Sequence, residues 1–322
     1  MRDWDVIVVG GGPGGAACAG ELVRRGLRVL VLDRAAFPRV KPCGGLVTQE
    51  AAAALGLREA DYPHGWLWID RFHFHWRGLR LAVPSPQISI RRVEFDRFLL
   101  ERSGAEFVRH RVRQVTREGG RYVVDGRFRA EVVVGAGGTA CPVHRSFFRD
   151  RTPRARGLQI TALEAEFPCE PRERDCHFWF FEEGFPGYYW YIPKADGHVN
   201  VGVGALAEPL RRAQDGVWRH WQRCVEKLRR LGWLGDRVPE PDGHTYYLVD
   251  RPRAARRDGA YLVGDAAGLA TRDLGEGIRA AIESGMRAAG AIADGGDYRL
   301  DDLPRTSWPA LLRGLLRRRW WR

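Results

Sequence analysis

The sequence predicts an α/β protein with an α+β division into two domains: a parallel sheet crossed by helices, and an antiparallel sheet inserted into it. Three observations predict this class. A glycine-rich turn joins two short apolar runs within the first 33 residues. Two later apolar runs, each closed by glycine, return the chain to the same kind of buried strand. Between the returns lie aromatic-rich segments punctuated by Pro and Gly, the pattern of antiparallel strands and their turns.

Each element follows from local pattern. Asp5-Val-Ile-Val-Val-Gly10 reads as a buried parallel strand, Ala16 to Arg25 as a helix, and Leu27 to Leu32 as a second strand ending at Asp33. Trp66 to Trp76 alternates in part, and Leu79–Val83 and Ile88–Ile90, separated by Pro84 and Pro86, follow as further strands. Glu94 to Glu101 is a short helix with Phe95, Phe98 and Leu99 on one face. Glu131 to Ala136 returns to the first sheet and ends at Gly137-Gly138. Leu158–Phe167, Cys176–Phe181, Tyr188–Ile192 and Val199–Val203 form the second sheet, with turns at Pro186-Gly187 and Asp196-Gly197. Trp218, Trp221, Cys224, Val225 and Leu228 fit one helix face. Ala260 to Gly264 is the third return, leading through Asp265 to a helix from about Gly277 to Ala293. The expected domains are 1–60, 91–155 and 251–296 for the first sheet, 61–90 and 156–250 for the second, and a helical segment over 297–322.

Composition narrows the function. With 44% hydrophobic residues over 322 positions the chain can build a core without metal or disulfides. Its six cysteines form no CxxC pair and no histidine cluster accompanies them, so no metal site is expected. A strand so near the start leaves no room for a signal peptide, and no run of about 18 apolar residues could span a bilayer, so a cytoplasmic protein is expected. The net charge of +12 comes from arginines scattered among acids, since only Lys41, Lys194 and Lys227 are lysine. That spread indicates a solvated surface and no nucleic-acid partner.

Gly10, Gly12 and Gly15 stand in GxGxxG spacing at a strand-to-helix turn, with Pro13 and Gly14 between them. Side-chain-free positions let the backbone approach a pyrophosphate, and the following helix offers unpaired N–H groups to that charge. Asp33, with Arg34 after it, lies where a carboxylate accepts hydrogen bonds from an adenosine ribose. The motif alone does not separate NAD from FAD. The second motif is Tyr261-Leu-Val-Gly-Asp-Ala-Ala-Gly268 followed by Leu274-Gly-Glu-Gly-Ile278. Asp265, at the end of a buried strand, can hold a sugar-like hydroxyl. A helix opening at Gly275, Gly277 and Ile278 aims its positive end at whatever ring binds there.

Together these motifs resemble the FAD flavoproteins of the para-hydroxybenzoate hydroxylase fold and, within them, the geranylgeranyl reductase family. Lys41-Pro-Cys-Gly-Gly45 resembles that family's cysteine-bearing loop beside the flavin, and Tyr188-Tyr-Trp-Tyr-Ile-Pro-Lys194 resembles its YxWxFPK strand. The resemblance implies a FAD-binding Rossmann-like domain of the glutathione reductase and para-hydroxybenzoate hydroxylase type, with an inserted antiparallel substrate domain. It implies non-covalent FAD with pyrophosphate over Gly10–Gly15, ribose on Asp33 and ribityl chain on Asp265, and a cofactor contact at Arg92. Hydroxylating relatives carry, where this chain has Gly137, an Asp linked to nicotinamide handling, so the resemblance leaves the route of NADPH open. Halogenases of this fold carry a catalytic lysine absent here between Lys41 and Lys194.

The implied activity is reduction of carbon–carbon double bonds in a prenyl or other hydrophobic chain, a substrate able to reside in a membrane. NADPH or another reductant would charge the flavin. The candidate catalytic residues are Cys43, with Gly44 and Gly45 shaping its loop, and Tyr189 and Trp190 on the aromatic strand; the proton comes from Cys43, a tyrosine or water. Peripheral membrane contact is expected of the C-terminal segment, where Trp308, Leu311, Leu312, Leu315 and Leu316 share one helical face. Two other readings stay open: a monooxygenase using O₂, and a non-catalytic flavoprotein binding a lipid or protein partner.

Overall fold

The computed structural model describes residues 2–250 and 254–307. In chain order its elements are β1 (Arg2–Val9), α1 (Pro13–Arg24), β2 (Val29–Asp33), β3 (Leu46–Thr48), α2 (Gln49–Ala54), β4 (Leu67–Trp76), β5 (Leu79–Ser89), α3 (Arg92–Arg102), β6 (Glu106–Arg109), β7 (Val115–Glu118), β8 (Arg121–Val124), β9 (Phe128–Gly135) and α4 (Pro142–Phe147). There follow β10 (Gln159–Pro168), β11 (Cys176–Phe180), β12 (Gly187–Lys194), β13 (His198–Leu206), α5 (Ala207–Arg212), α6 (Val217–Arg230), β14 (Asp242–Tyr247), β15 (Arg256–Arg257), β16 (Ala260–Leu262) and α7 (Ile278–Asp294). The chain groups into two compact units. Among the described residues the first comprises 2–40, 93–155, 246–250 and 254–305; the second comprises Lys41–Arg92 and Arg156–Thr245, with Thr306 and Ser307.

In the first unit β16, β9, β1, β2 and β6 lie side by side and parallel, because helices and long connections carry the chain back between them. Both faces are covered, which is why the strands read as continuous apolar runs. Val6, Val8, Val29, Val31 and Val134 pack with Cys18 and Leu22 of α1 and Ala288 and Ala289 of α7. On the other face Ile7, Val9, Leu30, Leu32 and Val133 pack with Tyr122 of the β7–β8 hairpin and Val143 of α4. The parallel order brings the carboxyl ends of β1, β2, β9 and β16 to one edge.

The second unit is an eight-stranded sheet in the order β14-β10-β13-β12-β11-β4-β5-β3. One face buries Ala165, Trp179, Tyr189, Tyr191, Val201 and Val203 under Trp221, Cys224, Val225 and Leu228 of α6. The β12–β13 turn has left-handed Asp196 and Gly197, as an Asp-Gly hairpin demands.

Several expectations change. Leu79–Ser89 is one strand running through Pro84 and Pro86. β3 covers only Gln87–Ser89, so the prolines sit where β5 is an edge and no ladder donor is needed. Residues 41–60, expected with the first sheet, group with the second unit because Leu46–Thr48 pairs with β5. Of the residues expected to share one face of α6, Trp221, Cys224, Val225 and Leu228 are buried and Trp218 is 43% exposed. β3, α2, β6 and the β7–β8 hairpin carried too little pattern to be anticipated. Residues 297–307, expected to begin a helical segment, form no helix, and the part from Trp308 onward, where membrane contact is expected, lies outside the described residues.

Candidate functional site

In the first unit the chemistry gathers at the strand ends. Gly10 is left-handed at φ +116° and presses on the Ala136 carbonyl, so no side chain fits there. A Cβ on Gly15 would strike the Gly10 carbonyl, and one on Gly14 would lie 2.8 Å from the Ala281 carbonyl of α7. Those two glycines serve helix–strand and helix–helix packing. Gly12 differs: its Cβ would meet only the Arg39 guanidinium, at 3.5 Å. That opening lies at the N-cap of α1, where no side chain caps the helix and Pro13 stands in the first turn. A side-chain-free backbone, an uncapped helix start and a guanidinium beside it fit a pyrophosphate. Asp33 accepts hydrogen bonds from the N–H of Gly11 and of Ala35, both at 2.9 Å, which ties the ribose position to the glycine turn. Arg34 is exposed.

On the far side of this edge the motif residues are held by Arg154 and Tyr247, which pattern alone did not single out. Arg154 donates to the carbonyls of Thr139 and Ala266 and stacks over Tyr247 at 5.1 Å, lashing the loop after β9 to the loop after β16. Burial lowers its pKa. Gly137 sits in the first of these loops and Asp265 in the second. Gly275 is left-handed under the Tyr246 hydroxyl, and a Cβ on Gly277 would lie 3.4 Å from the Asp265 carboxylate. Ile278 opens α7, which also lacks a side-chain cap.

In the second unit the Cys43 loop is clamped by the sheet. Cys43 N–H donates to Glu164 Oε1, Asn200 Nδ2 donates to the Cys43 carbonyl at 3.4 Å, and Lys194 Nζ donates to the Gly44 carbonyl at 2.5 Å. Lys194 also reaches the Ile90 carbonyl at 2.9 Å, and Ile90 N–H returns a bond to Gly45. A Cβ on Gly44 would press on the Ile192 Cδ1 at 2.7 Å, and Gly45 is left-handed against the Ile90 carbonyl, so the loop requires glycine at 45. Gly45 N–H points at the Cys43 sulfur, 3.5 Å away.

Trp190 belongs to this cluster. Its indole lies over Gly202, whose missing side chain makes the room, and donates to Asn200 Oδ1 at 2.7 Å. Tyr189 does not belong to it. Successive strand residues point to opposite faces, so Tyr189 is buried under α6, bonded to His220 Nδ1 at 3.0 Å. Arg92 begins α3 and is buried. Cys18 is core, its thiol pushed up to about 12 by burial. Sequence reading missed Glu164 and Arg39. The sequence showed only an acid within a strand that also holds Gln159, Thr161 and Glu166; that Glu164 is buried emerges from the structure.

Burial raises Glu164 to about 7, opposed by the Cys43 N–H, by Asn200, and by Lys41 and Lys194. Lys194 is itself lowered by burial. A carboxyl held above its ordinary range and an ammonium held below its own are what burial away from water produces.

Residues 3–57 match the FAD binding domain family. Menaquinone reductase of Mycolicibacterium smegmatis is 32% identical over 96% of this chain and 80% of that protein. The chain belongs to the geranylgeranyl reductase family of FAD-dependent oxidoreductases. Digeranylgeranylglycerophospholipid reductase 2 of Methanopyrus kandleri is 29% identical over 90% of this chain and 77% of its own length. A geranylgeranyl bacteriochlorophyll reductase-like protein from Thermoplasma acidophilum superposes with a TM-score of 0.79 at 21% identity, covering 99% of this chain and 84% of the other. The flavin-dependent brominase Bmp2 shares the fold at a TM-score of 0.72 and 20% identity, over 97% of this chain and 83% of its own. The family member described here binds FAD and is an oxidoreductase. Among its described residues no helix is long and apolar enough to cross a membrane.

Proposed function

We propose that this protein reduces carbon–carbon double bonds in a prenyl chain. The observation that carries the reading is one cross-strand row on the second unit's sheet: Glu164, Gly202, Trp190, Phe178, Phe74 and Leu81 are successive partners across six strands. Phe178 packs on Phe74 at 5.7 Å and on Tyr188 at 5.9 Å, so the row is an apolar aromatic strip with a polar end. A hydrocarbon fits such a strip, and the Cys43 loop stands at its polar end. The relatives named for prenyl-bearing substrates support the same class.

Gly10–Gly15, Arg39, Asp33 and Asp265 would hold FAD, which, once reduced by NADPH or another donor, would supply the hydride. Residues of the chain do the rest: the aromatic strip orients the substrate and excludes water, which an unactivated double bond requires. Cys43 shapes the polar end. The test is anaerobic reduction of the bound flavin, then mass spectrometry of prenyl substrates, with a gain of two hydrogens expected. An oxygenated product formed under air, with no two-hydrogen product, would establish a monooxygenase instead.

A further inference from the structure

We propose, on the basis of that function, that Glu164 is the proton donor of the double-bond reduction. It stands at the polar end of the aromatic row, one glycine away from Trp190. Its Oε1 is committed to Cys43 N–H and to Asn200 Nδ2, at 3.3 Å for the latter. Among the described residues its Oε2 takes no hydrogen bond, so one oxygen fixes the group and the other is left to deliver a proton. Gly202 removes the side chain that would separate the carboxyl from the Trp190 ring.

The charges around it do not lock it as a carboxylate. Lys194 spends its ammonium on the Gly44 and Ile90 carbonyls, and Lys41 is bonded to the Pro42 carbonyl and to His244. Glu166, two residues along the same strand, is paired with Arg91 at 2.9 Å. Burial accordingly keeps Glu164 protonated up to about 7, which suits a general acid working near neutrality. Tyr189 is on the opposite face and cannot compete.

The step balances simply. The π electrons of the double bond take the proton from Oε2, the O–H bond breaks with its electrons left on oxygen, and the hydride from reduced flavin fills the other carbon. Two C–H bonds would form, the two electrons coming from the hydride that a bound reduced flavin would supply, and the Glu164 carboxylate would recover its proton from solvent.

Infrared difference spectra of the FAD-loaded full chain test the first half. A protonated-carboxyl band is expected that vanishes with a midpoint near 7 and is missing in Glu164→Gln. Single-turnover reduction tests the second half. Its rate should fall as pH rises through that midpoint in wild type and in Cys43→Ser, while Glu164→Gln loses about a hundredfold and the pH limb with it. Glu164→Asp should keep the limb at a reduced rate, which covers the case in which the Gln variant does not fold. Absence of a titrating band, or a limb that survives Glu164→Gln, overturns the role of Glu164 alone. Absence of any two-hydrogen product from wild type at every pH overturns the parent function.

Discussion

Gly12 and Gly15 share a motif but are constrained by different things. A side chain at Gly15 collides with the Gly10 carbonyl, so its loss is a folding defect; a side chain at Gly12 enters open space beside Arg39, so its loss is a binding defect. Gly12→Val is therefore expected to fold with wild-type circular dichroism and to purify without flavin absorbance. Full FAD occupancy in that variant would move the pyrophosphate elsewhere. Glu164 gives a second residue-scale expectation. Its folded pKa lies above the ordinary glutamate value, so between the two the native state holds more protons than the unfolded state, and stability falls as pH rises toward about 7. The loss is on the order of 3 kcal/mol and is flat on either side of that window. Glu164→Gln lacks the titration, so the difference in unfolding free energy between wild type and variant should shrink across the window and then level. Denaturant melts at several pH values measure it; a constant difference would mean Glu164 titrates normally.

At the scale of elements, α1 and α7 cross at glycine. A Cβ on Gly285 would strike the Gly14 carbonyl, whereas one on Gly290, in the same helix, would meet nothing within 4 Å. Gly285→Ala is expected to cost about 1–3 kcal/mol by overpacking and to weaken FAD binding through the displaced Gly14 turn. Gly290→Ala should instead stabilise by about 0.5–1 kcal/mol, because only helix propensity changes. Equal effects of the two would refute the close crossing. This contrast was invisible in the sequence, where both read as glycines in an Ala-rich helix. The strands were legible because burial on both faces writes itself as Val-Ile-Val-Val or Val-Leu-Val-Leu. The face of each aromatic was not: alternation says that Tyr189 and Trp190 diverge, but only the position of α6 says that Tyr189 packs beneath it while Trp190 joins the Cys43 cluster on the other face. Glu164 was hidden for a related reason, since its partner Cys43 lies 121 residues away and no local pattern joins them.

At the scale of the molecule, the nucleotide cradle is legible as motifs yet cannot exist as a segment. Its glycine turn comes from the first 40 residues, Gly137 from the second part of the unit and Asp265 from the third, with stretches of the other unit between them. A fragment ending at Ala155 keeps Gly10–Gly15 and Asp33 but lacks β16, which pairs with β9, and α7, which covers α1 and one face of the sheet. Removing α7 exposes Cys18, Leu22 and Val134 and leaves the Gly14 turn unsupported. That fragment is expected to bind no FAD and to show no thermal transition that FAD shifts. In the full chain the cofactor binds only the assembled edge, so folding and binding are linked. At a hundredfold excess over its dissociation constant, FAD should add about 2.7 kcal/mol and raise the melting temperature by several degrees. Thermal melts of fragment and full chain with and without added FAD decide it. A fragment that FAD stabilises as much as it does the full chain would show that residues 3–57 and their immediate neighbours make the site alone.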